Sequence, residues 1–331
     1  MPKVKISALG CYVPPRVLDN YELEKMVETS NEWILERTGI SERRIAAPDE
    51  ATSDMAYAAA CQAISQRGIA PTELEAILVS TVTPDMFFPS TACLVQNRLG
   101  AKGAWGFDLI AACSSFVYAL TTGAHLVMAG THKKVLVIGA DTMSRIIDYS
   151  DRGTCVLFGD GAGAMLLEPT GNGEADLGYI DFLGEIDGSG GEFLKMPAGG
   201  SRMPASAETV EKRLHYVHQE GQQVFKYAVR KMYEVCRDLL KRNNLKAEEI
   251  SMLVPHQANL RIITGTADRL GIPADRVVIN IDRYGNTTSA TIPLATRDAI
   301  LQGRLKKDDL VLFAAVGAGF TVGASLWRWA Y

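Results

Sequence analysis

The stretch LEAILVST, residues 74–81, decides the fold because it has a counterpart in EEISMLVPH, residues 248–256. Both set acidic residues ahead of a short apolar run, the composition of a strand buried on both faces. Each is followed by a helical stretch ending in RLG, at Arg98–Gly100 and Arg269–Gly271. The first half then reaches Cys113 in AACSSF, and the second reaches Asn286 in YGNTTSA. Both are small-residue elbows that lead into helical segments. Each half returns to a long apolar strand, KKVLVIGA (133–140) and DDLVLFAAVGAG (308–319). The repeated order points to a duplicated α/β unit, residues 1–172 and 173–331. Duplication places corresponding turns near a pseudo-two-fold axis, where Cys113, His256 and Asn286 would converge although the chain separates them.

Working outward, β-branched apolar runs predict strands at Val4–Leu9, Ala76–Thr81, Lys134–Gly139, Cys155–Leu167, Ile250–Pro255, Arg276–Ile281 and Leu310–Val316. Longer periodic segments predict helices at Ser53–Gly68, with Ser53 as N-cap, at Val210–Lys241 and at Ala258–Leu270. Alternating strands and helices give an α/β class. The 331 residues, 47% hydrophobic and 22% charged, suit a soluble globular enzyme. A net charge of -4 gives no global attraction to nucleic acid or to an anionic membrane. No apolar run approaches the roughly 18 residues of a membrane span, and the start reads as a first strand rather than a signal peptide. The cysteines, Cys11, Cys61, Cys93, Cys113, Cys155 and Cys236, are scattered without a CxxC pair. That pattern argues for a reducing cytoplasm and against disulfides or zinc.

A thiol at a helix start lies near the positive end of the macrodipole, which favours thiolate. Cys113 reads equally well as a nucleophile or as a small core residue, while the core reading wins for the other five cysteines. His125 and His132 flank a helix end, and His215 and His218 lie in a charged helical segment. His256 differs: it ends a buried strand, where α/β proteins place their chemistry. A satisfied loop histidine remains an equal reading. Asn286 in a Gly-Asn-Thr-Thr run is also ordinary turn chemistry. The turn Gly317–Ala318–Gly319 can present N–H groups to an anion, or simply join two strands. Thiol, imidazole, carboxamide and N–H donors together suit acyl transfer through a thioester.

FDLIAACSSFVYAL, VPHQANLRII, RYGNTTSATIP and GAGFTVG, with SNEWILERTGISERRIA at 30–46, together resemble the β-ketoacyl-acyl-carrier-protein synthase III family over essentially the entire chain. These are the initiating condensing enzymes of bacterial type II fatty acid synthesis. The resemblance implies a thiolase-like fold, two βαβαβαββ halves stacked as an αβαβα five-layered sandwich, and a cytoplasmic homodimer. It implies that Cys113 takes an acyl group, usually acetyl, from acyl-CoA, which is a substrate; no cofactor and no metal is implied. His256 and Asn286 then donate hydrogen bonds to the thioester carbonyl of malonyl-acyl-carrier protein as it decarboxylates. The N–H groups of Cys113 and Ala318 hold the tetrahedral oxyanion. Trp33, Arg37, Arg152 and Asn259 match residues along the CoA and pantetheine path. Lys226, Gln257, Arg261 and Arg269 match the docking face for the acidic carrier protein. Phe88, Met143, Phe158 and Val316 match the acyl pocket, Phe88 reaching across the dimer.

The chain departs from the family at three places. Ser115 stands where glycine is common beside the nucleophile, the C-terminal turn has Gly-Ala-Gly where three glycines are frequent, and Val316 stands where many members carry Phe. A smaller residue at 316 opens room for a longer or branched primer. A priming ketosynthase of a secondary-metabolite pathway shares every catalytic motif and is the runner-up reading. A cysteine-dependent acyl hydrolase is the alternative from another class. A thiolase would need a second cysteine in the C-terminal glycine turn, and GAGFTVG has none.

Overall fold

The computed structural model describes residues 3–174 and 176–331. Met1 and Pro2, at the head of the first strand segment, lie outside the described residues. The first half runs β1 (Val4–Tyr12), α1 (Asn31–Thr38), α2 (Thr52–Arg67), β2 (Ala76–Ser80), α3 (Thr91–Leu99), β3 (Trp105–Leu109), α4 (Ser115–Met128), β4 (Val135–Asp141) and β5 (Gly161–Pro169). The second runs β6 (Gly178–Ile186), α5 (Gly221–Arg242), β7 (Met252–Pro255), α6 (Leu260–Leu270), α7 (Thr291–Leu301), β8 (Leu310–Gly317) and β9 (Thr321–Arg328). The strand orders are β1-β5-β4-β2-β3 and β6-β9-β8-β7. These are the same order element for element, with one member short in the second half.

Period-two alternation inside each apolar run sorts the layers. Val311, Phe313 and Ala315 of β8 face one core, while Leu310, Leu312, Ala314 and Val316 face another. In β4, Val135 and Val137 share the first of these cores, whereas Leu136, Ile138 and Ala140 face a third. The shared core also takes in Phe116, Leu120 and Val127 of α4 and Ile292, Leu294 and Ala299 of α7. Helix α2 covers the outer face of the first sheet, and α5 with α6 covers that of the second. The result is the five-layered αβαβα sandwich of the thiolase-like fold. Among the described residues no helix is long and apolar enough to cross a membrane.

Two glycines set how closely the halves approach. A Cβ on Gly317 of β8 would lie 2.7 Å from the Cys113 N and 2.9 Å from the Ser114 N. Gly139 of β4 makes another close approach between the halves, where a Cβ would be 2.4 Å from the Ser289 carbonyl oxygen. Both elbows turn at a left-handed non-glycine residue, Ala112 (φ 46°) and Thr288 (φ 52°). Each then makes one 3-10 turn, Ala112–Ser114 or Thr288–Ala290, before its helix. The counterpart of Cys113 is therefore Ser289, and not Asn286 as the RLG alignment implies.

Several boundaries differ from expectation. The run from Cys155 to Leu167 is not one strand. Arg152–Cys155 is a helical turn capped by Asp151, and β5 starts only at Gly161. Arg276–Ile281 makes a single bridge, Leu253 to Val277, because Gln257 and Asp298 take its polar groups instead. The Val210–Lys241 helix is broken: Ala207–Glu211 is helical, His218 and Gln219 pair with Lys195 and Leu194, and α5 begins at Gly221. His215 and His218 are thus not helical. Helix α2 is capped at Ala51, whose N–H bonds Asp54, while the hydroxyl of Ser53 goes to Asp85. Cys61 is half-buried and Cys93 is exposed, so neither is a core residue.

Gly139→Ala should cost about 1–3 kcal/mol of stability, because its obstacle is backbone rather than a pliable side chain. Urea unfolding of the variant measures this, and wild-type stability would show that the Ser289 elbow moves freely.

Candidate active site

Strand β3 delivers the chain to Cys113, in the 3-10 turn that leads into α4. The left-handed Ala112 points the next residues inward, and the Ser115 hydroxyl holds that turn by donating to the Ala112 carbonyl at 2.6 Å. The departure at Ser115 is thus a brace across the elbow. Cys113 is 8% exposed. Burial pushes its thiol up to about 12, and the charge of Asp141 pushes the same way. Its own N–H and the Asn286 side chain oppose this without overcoming it. The resting group is a neutral thiol, so desolvation outweighs the helix terminus that favours thiolate.

His256 ends β7, its N–H donating to Ala314 of β8 at 2.7 Å. The ring is fully buried, and burial lowers its pKa to about 3, leaving a neutral imidazole. Its Nδ1 lies 2.7 Å from the Thr291 Oγ1, while Nε2 has no partner among the described residues. Asn286 is anchored across the halves: its N–H donates to Leu157 at 2.8 Å, and its carbonyl accepts from Gly159 at 3.1 Å. Its Oδ1 accepts from the Thr288 N–H at 2.9 Å, leaving the amide NH2 for the Cys113 thiol. The Thr291 hydroxyl donates to the Thr288 carbonyl at 3.1 Å. A chain of hydrogen bonds thus runs from His256 through Thr291 and Thr288 to Asn286, whose side chain favours ionisation of the Cys113 thiol.

The turn Gly317–Ala318–Gly319 joins β8 to β9 and is stapled to the Cys113 elbow. The Thr321 hydroxyl donates to Ala111 at 2.9 Å, and the Ser114 hydroxyl to Thr321 at 3.0 Å. The Cys113 N–H meets no protein acceptor among the described residues. At the other elbow the Ser289 N–H and hydroxyl donate to Asp141 at 3.0 and 2.5 Å. Asp141 also accepts from Thr81, Val82 and Thr83, and burial raises its pKa.

The remaining expected residues scatter around this centre. Trp33 carries two guanidinium groups, Arg152 at 5.0 Å and Arg37 at 5.9 Å from its ring. Asn259 caps α6 through Arg261 N–H and donates to the Arg37 carbonyl, so its side chain is committed to holding α1 against α6. Lys226, Arg261 and Arg269 are exposed on the adjacent helices α5 and α6. Gln257 is 1% exposed, its amide donating to Pro255 and Val278 and accepting from Asn280. It cannot meet a docking protein, which corrects its assignment to that face. Met143 and Phe158 share one apolar cluster, whereas Val316 packs in another beside Phe320. Phe88 is 85% exposed, outside both. Sequence reasoning missed Thr288, Ser289, Thr291 and Asp141. The threonines and serine read as turn chemistry, and only a carboxylate at the end of a buried strand hinted at Asp141.

Residues 107–183 match the family model for 3-oxoacyl-[acyl-carrier-protein (ACP)] synthase III, and residues 240–329 match the model for its C-terminal part. The β-ketoacyl-[acyl-carrier-protein] synthase III of Solibacter usitatus (strain Ellin6076) is 74% identical, covering 100% of both chains. The crystal structure of 3-oxoacyl-[acyl-carrier-protein] synthase III from Aquifex aeolicus VF5 is similar with a TM-score of 0.90 at 45% identity, over 98% of this chain and 100% of that one. The priming β-ketosynthase from the R1128 polyketide biosynthetic pathway is similar with a TM-score of 0.91 at 33% identity, over 100% of this chain and 98% of that one.

Because the Cys113 thiol is pushed up, alkylation at this position should be slow near pH 7. It should rise about tenfold per pH unit, without a plateau below pH ~9. Iodoacetamide labelling read by peptide mass mapping separates Cys113 from the exposed Cys93, and a plateau near neutral pH would reveal a resting thiolate.

Proposed function

This chain belongs to the 3-oxoacyl-[acyl-carrier-protein] synthase III family, and we propose that it condenses an acyl-CoA primer, acetyl-CoA first among them, with malonyl-acyl-carrier protein through an acyl-Cys113 intermediate. It is a condensing enzyme, an acyltransferase that initiates fatty acid synthesis. The observation that carries the mechanism is the hydrogen-bonded chain from His256 to Asn286, beside a buried, neutral Cys113 thiol that the Asn286 side chain acts on. His256 Nε2 takes the Cys113 proton as the sulfur attacks the primer's thioester carbon, and the departing CoA sulfur receives that proton. The Cys113 and Ala318 N–H groups hold the tetrahedral oxyanion. Support comes from the second elbow, where the matching Ser289 N–H already binds a carboxylate oxygen.

The malonyl thioester carbonyl then accepts from His256 Nε2–H and the Asn286 amide. The bond to its carboxylate breaks, carbon dioxide leaves, and the electron pair becomes an enolate stabilised by roughly 3 kcal/mol per donor. The enolate carbon attacks acyl-Cys113, and the carbon–sulfur bond breaks. The expelled sulfur takes one proton from solvent, which the cycle consumes because the original thiol proton left on CoA. Acyl-CoA is a substrate here, and no cofactor enters the cycle. The CoA adenine stacks at Trp33 between Arg37 and Arg152, and pantetheine passes near Asn259. Lys226, Arg261 and Arg269 meet the acidic carrier protein. Met143, Phe158 and Val316, with Phe88 from across a dimer, enclose the primer. Residues 1–172 and 173–331 are the two units of the duplication.

A homodimer is supported by the edge strand β3, with Phe87, Phe88 and Ile110 beside it 81%, 85% and 73% exposed. The free state of all six cysteines supports a cytoplasmic setting. A priming ketosynthase is the second reading, favoured by the small Val316 and by the similarity to a solved enzyme of that kind.

Incubation with acetyl-CoA should add one acetyl group by intact-protein mass spectrometry, and Cys113→Ala should abolish it. No adduct from any short or medium acyl-CoA would defeat the reading. His256→Ala should retain acylation, slowed, and lose malonyl decarboxylation by about 100-fold or more; decarboxylation at the wild-type rate would contradict the assignment. A primer panel with malonyl-carrier protein separates the two readings, branched or longer primers favouring the second. Light scattering should give twice the chain mass of 35.9 kDa.

A further inference from the structure

His256 has to play two opposite parts if the proposed function holds, and the present inference rests on that reading. A lone pair on Nε2 receives the thiol proton in the first half-reaction, whereas an Nε2–H donates to the extender carbonyl in the second. A neutral imidazole carries one hydrogen, so what happens at Nδ1 decides which Nε2 is presented. The sole partner of Nδ1 among the described residues is the Thr291 hydroxyl, 2.7 Å away. A hydroxyl has one proton and can both accept and donate.

The surroundings favour one arrangement in the free enzyme. Among the described residues, the Thr288 carbonyl has the Thr291 hydroxyl, at 3.1 Å, as its donor. Buried acceptors are normally satisfied. With that proton committed, Thr291 accepts from Nδ1–H, and Nε2 is left bare. The unpartnered, fully buried Nε2 is consistent with a lone pair awaiting a proton. Turning the hydroxyl about its Cβ–Oγ1 bond aims the same proton at Nδ1. That supports the other tautomer with no movement of the ring.

We propose that Thr291 is a positioning residue that holds the His256 ring through Nδ1 and selects its tautomer, Nδ1–H in the free enzyme, by committing its own proton to the Thr288 carbonyl. Between half-reactions the imidazole exchanges its hydrogen with solvent, and the hydroxyl follows. Valine matches threonine in shape and supports neither arrangement, while serine supports both.

The test uses the full chain with 15N-labelled histidine, the His256 signals being assigned from their loss in His256→Ala. Nitrogen chemical shifts of the free enzyme should report a protonated Nδ1 and a bare Nε2. In Thr291→Val they should move toward the average of two exchanging tautomers. Acylation of Cys113 and malonyl decarboxylation should each fall about tenfold, with KM for acyl-CoA unchanged, and Thr291→Ser should restore both. An Nε2–H tautomer in the free wild type, wild-type rates in Thr291→Val, or a failure of Thr291→Ser to recover would each overturn the proposal. Should Thr291→Val not fold, the wild-type shifts and the serine variant still decide it. Absence of acylation in the wild type would sink the proposed function instead, leaving the tautomer readable from the shifts alone.

Discussion

The approach of Gly317 to the backbone of Cys113 is the constraint on which the rest of this molecule depends. A strand end and a helix start come so near that no Cβ fits between them. That contact brings the C-terminal hairpin turn beside Cys113. A second close approach, of Gly139 to the Ser289 carbonyl, holds the other elbow against the first half. The two contacts lock the halves about a pseudo-two-fold axis, and every group of the candidate site lies along that seam. The duplication has therefore diverged at matching positions. One elbow carries a thiol, and the other a serine pinned by a buried aspartate.

Electrostatics at the seam follow from burial. Water is excluded from both Cys113 and His256, so neither charged form is favoured at rest. A neutral pair of this kind leaves the thiol weakly nucleophilic at rest. The Asp141 carboxyl sits behind the second elbow and accepts five hydrogen bonds, which oppose the upward push of burial on its pKa. It stiffens the frame and discourages premature ionisation of the thiol.

Outside the duplicated core, one segment supports both the surface and the site. The SNEWILERTGISERRIA stretch folds into α1 and a short strand, presents Trp33 to two arginines, and sends Arg43 fully inside. Arg43 donates to the Leu18 and Val156 carbonyls and to Asn20. It thereby ties this outer segment to the loop that anchors Asn286. The Trp33 segment and the Asn286 loop are mechanically joined through one buried guanidinium.

How much was legible in the sequence follows from which forces are local. LEAILVST and EEISMLVPH announced buried strands, and the RLG endings announced the duplication, because burial on both faces writes itself as uninterrupted apolar residues. Cys113 and His256 were visible for the same reason: each interrupts such a pattern at a strand end or helix start. Gln257 and Asn259 read as free to meet a partner, yet folding commits both to backbone groups distant in sequence. The thiolate expected from a helix start gave way to desolvation, which depends on everything packed around the sulfur. Thr291 looked like one more small residue in NTTSAT until its hydroxyl met an imidazole 35 positions away. The sequence by itself determined the layers and the duplication, since periodicity is carried along the chain. Only the tertiary structure decided the true partner of Cys113 across the axis, the neutral state of the site and the hydrogen-bonded path through it, because those depend on distances between segments that the chain does not encode in neighbouring residues.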